Sequence, residues 1–448
     1  MPRLQLKIFP KKHYICKDIQ YALIKMKFSP DTTKKSYKWE VVILLWIAFF
    51  LNQADRQAFN IVLPQIQTLF GANDSTMGLI AMLFNVFYAI TVPFAGFYAD
   101  RLSRSRQIIV STLIFSAATF FTGFANGLLL FIIFRCAGMG VGQGMFGPTY
   151  TGLIAQYHDS TTRAKALSLH QTSSYIGVIC CGVLAGYIAD KLGWQYSFYI
   201  FGGLGLVLTL VLMARLRDKT DAQAPQPQTV TVQKPSFKES VAAFFKVPTA
   251  ICLLVAYTGG IFVITGYLTW MPKLMKETFD LSTSAAGFHS MFWANAAAFV
   301  GVMLGGTLND KLVARGKGAN RLIVQTAGLI LAVPCIVLMG LSHNLFAVCA
   351  ALAGYGLFRG VFESGTYPVL YDVISSKFYS MSSAVMILFG FSIGALAPWI
   401  LGIISDNFGL SHGVALLGVV WAVVSLALIL ARVKYYKQDY ANLKNEND

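Results

Sequence analysis

Along this chain, long apolar runs alternate with short polar breaks, and the runs recur about twelve times at roughly the 20 residues that a helix needs to cross hydrocarbon. They lie broadly at 39–63, 77–98, 107–126, 128–150, 164–188 and 196–212, and then, after a longer polar gap, at 249–270, 285–308, 322–341, 345–370, 378–401 and 413–431. A helix satisfies its own backbone hydrogen bonds where no water is present, so each run predicts one membrane-spanning helix. The expected fold class is therefore an all-α membrane protein with twelve transmembrane helices in two six-helix bundles. The division expected is a basic tail over 1–38, a first bundle over 39–216, a linker over 217–246, a second bundle over 247–433 and a terminal tail over 434–448.

The tail has no apolar core before a small-residue cleavage site, so it does not read as a signal peptide. Met26 is an alternative start that would remove much of it. The linker, with Ala-Pro-Gln-Pro-Gln at 224–228, is Pro- and Gln-rich as an inter-bundle connection would be.

Composition agrees with lipid as the main solvent. Hydrophobic residues make up 56% of the chain and charged residues 12%, too few to give a soluble protein of this length a polar surface. The net charge of +16 invites a nucleic-acid reading, but placement argues otherwise. With both termini on one side of twelve spans, all 36 Lys and Arg fall on that side except Arg56, Arg135 and Arg359 inside spans and Lys191, Lys273 and Lys276 opposite. This is the positive-inside distribution, so the basicity reports orientation: both termini are expected to be cytoplasmic and no nucleic-acid partner is expected. The seven cysteines show no ligand spacing, so no metal site, disulfide framework or cofactor is expected. No Walker A loop is present, which disfavours ATP-driven transport.

Two landmarks repeat across the halves. Gly96-x-x-x-Asp100-Arg101-x-x-Arg104-x-Arg106 follows the second span and has a degenerate copy at Gly306-x-x-Asn309-Asp310-Lys311-x-x-x-Arg315. Gly186-x-x-x-Asp190-x-x-Gly193 after the fifth span matches Gly402-x-x-x-Asp406-x-x-Gly409 after the eleventh. The offsets, about 210 residues in each case, keep the same order and point to internal duplication.

The twelve spans in two sixes and the Gly-x-x-x-Asp-Arg-x-x-Arg-x-Arg loop resemble the major facilitator superfamily over essentially residues 39–433. The resemblance implies two bundles that rock about a central cavity. It also implies a latch on the cytoplasmic side, for which Gly96, Asp100, Arg101, Arg104, Asp310 and Arg315 are the candidates. The alternative for the arginines is anchoring to lipid head groups. Within the first span, Asn52-Gln-Ala-Asp55-Arg56-Gln57 followed by Asn60 and Pro64 resembles the anion:cation symporter branch and the spinster-like transporters. There, an Asp with an adjacent Arg bears on proton coupling and on binding of an anion, so the resemblance places these roles on Asp55 and Arg56.

Ionisable groups inside spans are costly unless paired or facing water, so the few present are candidates for function. Substrate binding is expected from Arg56, Asn85, Tyr88, Arg135, Gln171, Asn295 and Arg359, and proton coupling from Asp55 and Glu363. Two structural alternatives stay open: an ion-pair network of Asp55 with Arg135, and an intrahelical pair of Arg359 with Glu363 four residues on. The fourth span lacks the carboxylate common in relatives, since Gly140-Val-Gly142-Gln143 follows Arg135.

Three readings follow. The first is proton-coupled symport of a small organic anion, such as a sugar acid or other carboxylate, with sodium open as an alternative ion. The second is a transporter or flippase of amphipathic compounds such as lysolipids or drugs. The third is a transporter-like sensor, which the absence of a sizeable extra domain disfavours. The expected setting is a monomer in the lipid bilayer of a bacterial inner membrane, and no enzymatic activity is expected.

Overall fold

The computed structural model describes residues 36–99, 103–159, 162–219, 237–315 and 320–447. It contains helices and no strand among these residues. The first six long helices are α1 (Tyr37–Phe70), α2 (Asp74–Ala99), α3 (Arg104–Thr122), α4 (Leu128–Tyr157), α5 (Arg163–Leu192) and α6 (Trp194–Arg215). A short helix, Phe237–Phe245, precedes the second six. These are α7 (Pro248–Phe279), α8 (Thr283–Ala314), α9 (Arg321–Leu341), α10 (Leu345–Tyr371), α11 (Tyr379–Gly394 continued by Ala397–Phe408) and α12 (Leu410–Leu430). The last passes through a π turn, Ala431–Tyr435, into a terminal helix, Tyr436–Asn447.

Ten of these helices are long and apolar enough to cross a membrane by length and composition. α1 and α3 fall outside that measure because of their polar content: α1 carries Asn52 to Asn60 at its middle, and α3 starts on Arg104 and Arg106. Several helices outrun their apolar runs. α1 is 34 residues long and α7 is 32, about 50 Å each at 1.5 Å per residue, so their ends stand in the head-group region, where the backbone ladder continues without an apolar surface. Gly71 ends α1 at φ 57°, with its N–H turned back onto the Gln67 and Thr68 carbonyls.

The two halves are packed alike. In the first, α1 packs on α5, α2 on α4, and α3 on both α4 and α6. In the second, α7 packs on α11, α8 on α10, and α9 on both α10 and α12. This one-to-one match at a six-helix offset is the tertiary form of the duplication read from the two landmarks. α6 and α12 present Leu204, Val207, Leu210, Leu416, Val423 and Leu426 outward, the side that meets lipid. The halves touch along α2–α11, α5–α8 and α1–α7. α1 and α7 thus stand at the centre, which is why the polar run of α1 is sheltered from lipid.

Candidate functional site

Gln53, Arg56 and Gln57 are spaced i, i+3, i+4 on α1 and share one face, while Asp55 lies about 100° around the helix from Arg56. The structure follows that geometry. Arg56 donates from Nη2 to Asn85 Oδ1 on α2 at 2.6 Å, and its guanidinium lies 5.2 Å from the ring centres of both Phe84 and Tyr88. Asp55 points away into the bundle and is fully buried. Thr119 of α3 donates its hydroxyl to Asp55 Oδ2 at 3.1 Å, and Oδ1 has no hydrogen-bond partner among the described residues.

Arg135 sits in a π turn, Ile133–Gly138, that interrupts α4. Wide turns of this kind displace a side chain from the register of its helix and are frequent at functional sites. Here the guanidinium lies 4.3 Å from the Phe84 ring centre and 5.0 Å from that of Phe59, and donates to the Arg56 carbonyl at 3.1 Å. The ion pair of Asp55 with Arg135, open as an alternative from sequence, does not form within 4 Å among the described residues. Two turns along α4, Gln143 donates to the Asn52 carbonyl at 2.9 Å.

From the second bundle come Thr265 of α7, Asn295 of α8 and Arg359 with Glu363 of α10. Arg359 Nε stands 3.4 Å from Glu363 Oε1, with the arginine buried and the glutamate a third exposed. The guanidinium also lies 5.6 Å from the Tyr355 ring centre. These groups and the α1 face meet in a cavity of about 210 Å³ lined by Gln53, Arg56, Gln57, Gln171, Ser174, Tyr175, Thr265, Asn295, Arg359 and Glu363, with apolar walls from α5, α7 and α11. Arg56 also borders a smaller void of about 30 Å³ that carries Asn85 and Arg135. Tyr88 stands 5.8 Å from Phe391, ring centre to ring centre, and beyond them an apolar cavity of about 500 Å³ opens between α2, α11 and the short helix Phe237–Phe245. The expected binding residues of both halves thus surround one region. Asp55 stands behind it rather than on it.

The loop candidates lie elsewhere. Gly96 is in the last turns of α2, whereas Asp100 and Arg101 lie outside the described residues. Arg104 donates to the Gly152 carbonyl of α4 at 3.4 Å, within its own bundle. Asp310 and Arg315 are exposed at the end of α8. Gln53 and Gln57 stand in the polar run read from the sequence but are given no binding role there, and Ser174 and Thr265 are not singled out. The first two were detectable by their spacing from Arg56, whereas nothing local marks the others.

A description of the Major Facilitator Superfamily matches residues 45–398. The chain belongs to that superfamily. It is accordingly a multi-pass membrane transporter and not an enzyme. Among its relatives is the "Sodium-dependent phosphate transport protein 1, chloroplastic" of Arabidopsis thaliana, 27% identical over 87% of this chain and 79% of that one. The "Hexuronate transporter" of Bacillus subtilis is 24% identical over 88% of this chain and 94% of the relative. The fold is similar to the crystal structure of a bacterial homolog of the human lysosomal transporter Spinster in an inward-facing, unoccupied conformation. That match has a TM-score of 0.76 at 20% identity and covers 92% of this chain and 99% of the other.

Proposed function

We propose that this superfamily member is a secondary active transporter of a small organic anion, a sugar acid or another carboxylate, working by alternating access with protons as the coupling ion. The observation that carries the reading is that Arg56 of the first bundle and Arg359 of the second line the same cavity, among amides and hydroxyls. A guanidinium binds a carboxylate through two parallel hydrogen bonds, so an anion held between the two arginines is held by both bundles at once. Binding then biases their relative rotation. The volume of about 210 Å³ lies below the roughly 300–1,000 Å³ of drug-sized pockets, which favours a small cargo. The name of the Bacillus relative points the same way.

In this reading Asp55 couples the proton. Gain or loss of a proton at an enclosed carboxyl changes the charge beside the α1 segment that carries Arg56, and Glu363 is a second carboxyl on the cavity wall. The two termini are cytoplasmic, as the charge distribution argues, the setting is a bacterial inner membrane and the working unit is a monomer. Asp100, Arg101, Arg104, Asp310 and Arg315 form the cytoplasmic latch, with Gly96 admitting its close approach.

Uptake into proteoliposomes tests the proposal. Glucuronate and galactonate should accumulate saturably under an inward proton gradient, and absence of accumulation of any carboxylate overturns it. Asp55→Asn should abolish accumulation against a gradient while leaving exchange of external for internal substrate; unchanged accumulation removes Asp55 from coupling. Accumulation under a sodium gradient alone would replace the ion, as the name of the Arabidopsis relative suggests.

A second reading, an amphipathic cargo, is favoured by the apolar cavity of about 500 Å³ beyond Tyr88 and Phe391, which suits an acyl tail beside a polar head. Saturable transport of a lysolipid with no carboxylate transport would select it.

A further inference from the structure

At the end of the molecule opposite the termini, the two bundles are joined by a reciprocal contact. Asp190, in the last turn of α5, accepts from the backbone N–H groups of Thr283 at 3.2 Å and Ser284 at 2.9 Å, the first two residues of α8. Asp406, in the last turn of α11, accepts from those of Asp74 at 2.9 Å and Ser75 at 2.9 Å, the first two residues of α2. Each carboxylate belongs to one bundle and each capped helix to the other. The third free N–H of either helix is met locally: Ala285 donates to Ser282 Oγ at 3.2 Å and Thr76 to Asn73 Oδ1 at 3.1 Å.

A carboxylate in the last turn of its own helix is on the unfavourable side of the helix dipole. Facing the first turn of a neighbour, it gains the favourable end together with two charge-assisted hydrogen bonds. That account explains the second repeated landmark, Gly-x-x-x-Asp. A Cβ on Gly186 would stand 2.6 Å from the Ser284 nitrogen, and one on Gly402 would stand 2.5 Å from the Asp74 carbonyl oxygen. The glycine admits the partner backbone and the aspartate one turn later caps it.

Two lysines complete the pattern. Lys273 of α7, buried, pairs with Asp74 and donates to Gln67 Oε1 at 2.8 Å, while Ser405 donates to Asp74 Oδ2 at 2.5 Å. Lys276, one turn on, donates to Thr283 Oγ1 at 2.9 Å, and Gln65 donates to the same oxygen at 3.2 Å. Each capped helix start is thus also held by a Gln of α1 and a Lys of α7. These lysines are two of the three that stand apart from the basic side of the chain.

We propose that Asp190 and Asp406 are paired positioning residues of the gate at this end, each closing it by capping a helix of the opposite bundle, and that both caps break when the central cavity opens here. The caps are specific to the closed arrangement, since rotation of one bundle against the other separates carboxylate from N–H.

The test uses full-length protein in lipid nanodiscs without substrate, so its outcome is independent of which cargo is carried. With the native cysteines replaced, spin labels at Asn126→Cys and His343→Cys, exposed positions on the two bundles at this end, report their separation by double electron–electron resonance. The parent should give a dominant short distance. Asp190→Ala with Asp406→Ala should transfer at least half of the population to a longer distance, and each single change should transfer part. An unchanged distribution in the double variant, or a shift from only one of the singles, overturns the proposal. If the double variant does not yield folded protein, Gly186→Ala with Gly402→Ala keeps both carboxylates and wedges the same contacts apart. It should show the same lengthening, and its absence likewise overturns the proposal.

Discussion

Arg56 holds its position through fork geometry: one arm of the guanidinium reaches Asn85, and the plane is shared by the rings of Phe84 and Tyr88. A lysine keeps the charge but neither the fork nor the stacking surface. Arg56→Lys should therefore weaken binding of a carboxylate substrate about tenfold, the equivalent of about 1.4 kcal/mol, measured as Kd by isothermal titration. A second residue-scale prediction concerns His158, just past the end of α4. Its ring is buried between Thr162 Oγ1 and the Lys38 carbonyl, each at 3.1 Å, and packs on Trp39. Burial pushes its pKa below the ordinary value of 6.5 despite the hydrogen bond to Lys38. The unfolded chain then takes up the proton first, so this contribution to stability is full above the unfolded pKa and is lost as pH falls below it toward the folded one. His158→Gln should flatten the decline of Tm between pH 7.5 and 5.5 in a thermal melt. At this scale the sequence was informative where side chains share a helix face, as with Gln53, Arg56 and Gln57. It was silent on Thr119 as the partner of Asp55, because that contact joins residues 64 positions apart.

Among the elements, hydropathy located every span but not every end. The seventh apolar run stops at Trp270 because polar residues follow, yet α7 continues to Phe279, since backbone hydrogen bonding needs no apolar surface once the helix leaves hydrocarbon. The π turn around Arg135 leaves no periodic signature, because it shifts register by about one residue within an otherwise continuous apolar run, whereas the division of α11 falls between Gly394 and Pro398, residue types that mark a bend. The terminal helix shows how an element outside the membrane is tied down: Asp439 accepts from the Thr249 N–H at 3.1 Å and from its hydroxyl at 2.6 Å, capping the start of α7. Asp439→Ala should lower stability by about 1 kcal/mol, the usual cost of losing such a cap, as read from the midpoint of chemical denaturation.

For the whole molecule, the contacts between bundles concentrate at the end opposite the termini, with Gly182 set against Gly287 and Gly78 against Pro398. With that end closed, access to the central cavity is expected from the side of the termini. A single cysteine at Ser174, which lines the cavity, should react with a membrane-impermeant maleimide in inside-out vesicles several times faster than in right-side-out vesicles, and saturating substrate should slow the reaction. Equal rates from both sides would contradict a closed far end.

The sequence by itself determined the solvent and the duplication, because these follow from composition and from order along the chain, and its loop motif with twelve apolar runs carried the resemblance to the superfamily that the match over residues 45–398 bears out. It also nominated Arg56, Arg135 and Arg359, since a charge in hydrocarbon is conspicuous wherever it occurs. Only the tertiary structure decided that Arg56 and Arg359 face one cavity while Asp55 is turned behind it, and that two aspartates read as markers of duplication cap helices of the opposite bundle. Those facts depend on the rotation of each helix about its axis and on which helix ends meet. Both are set by packing between segments roughly 90 to 330 residues apart, where a local pattern carries no information.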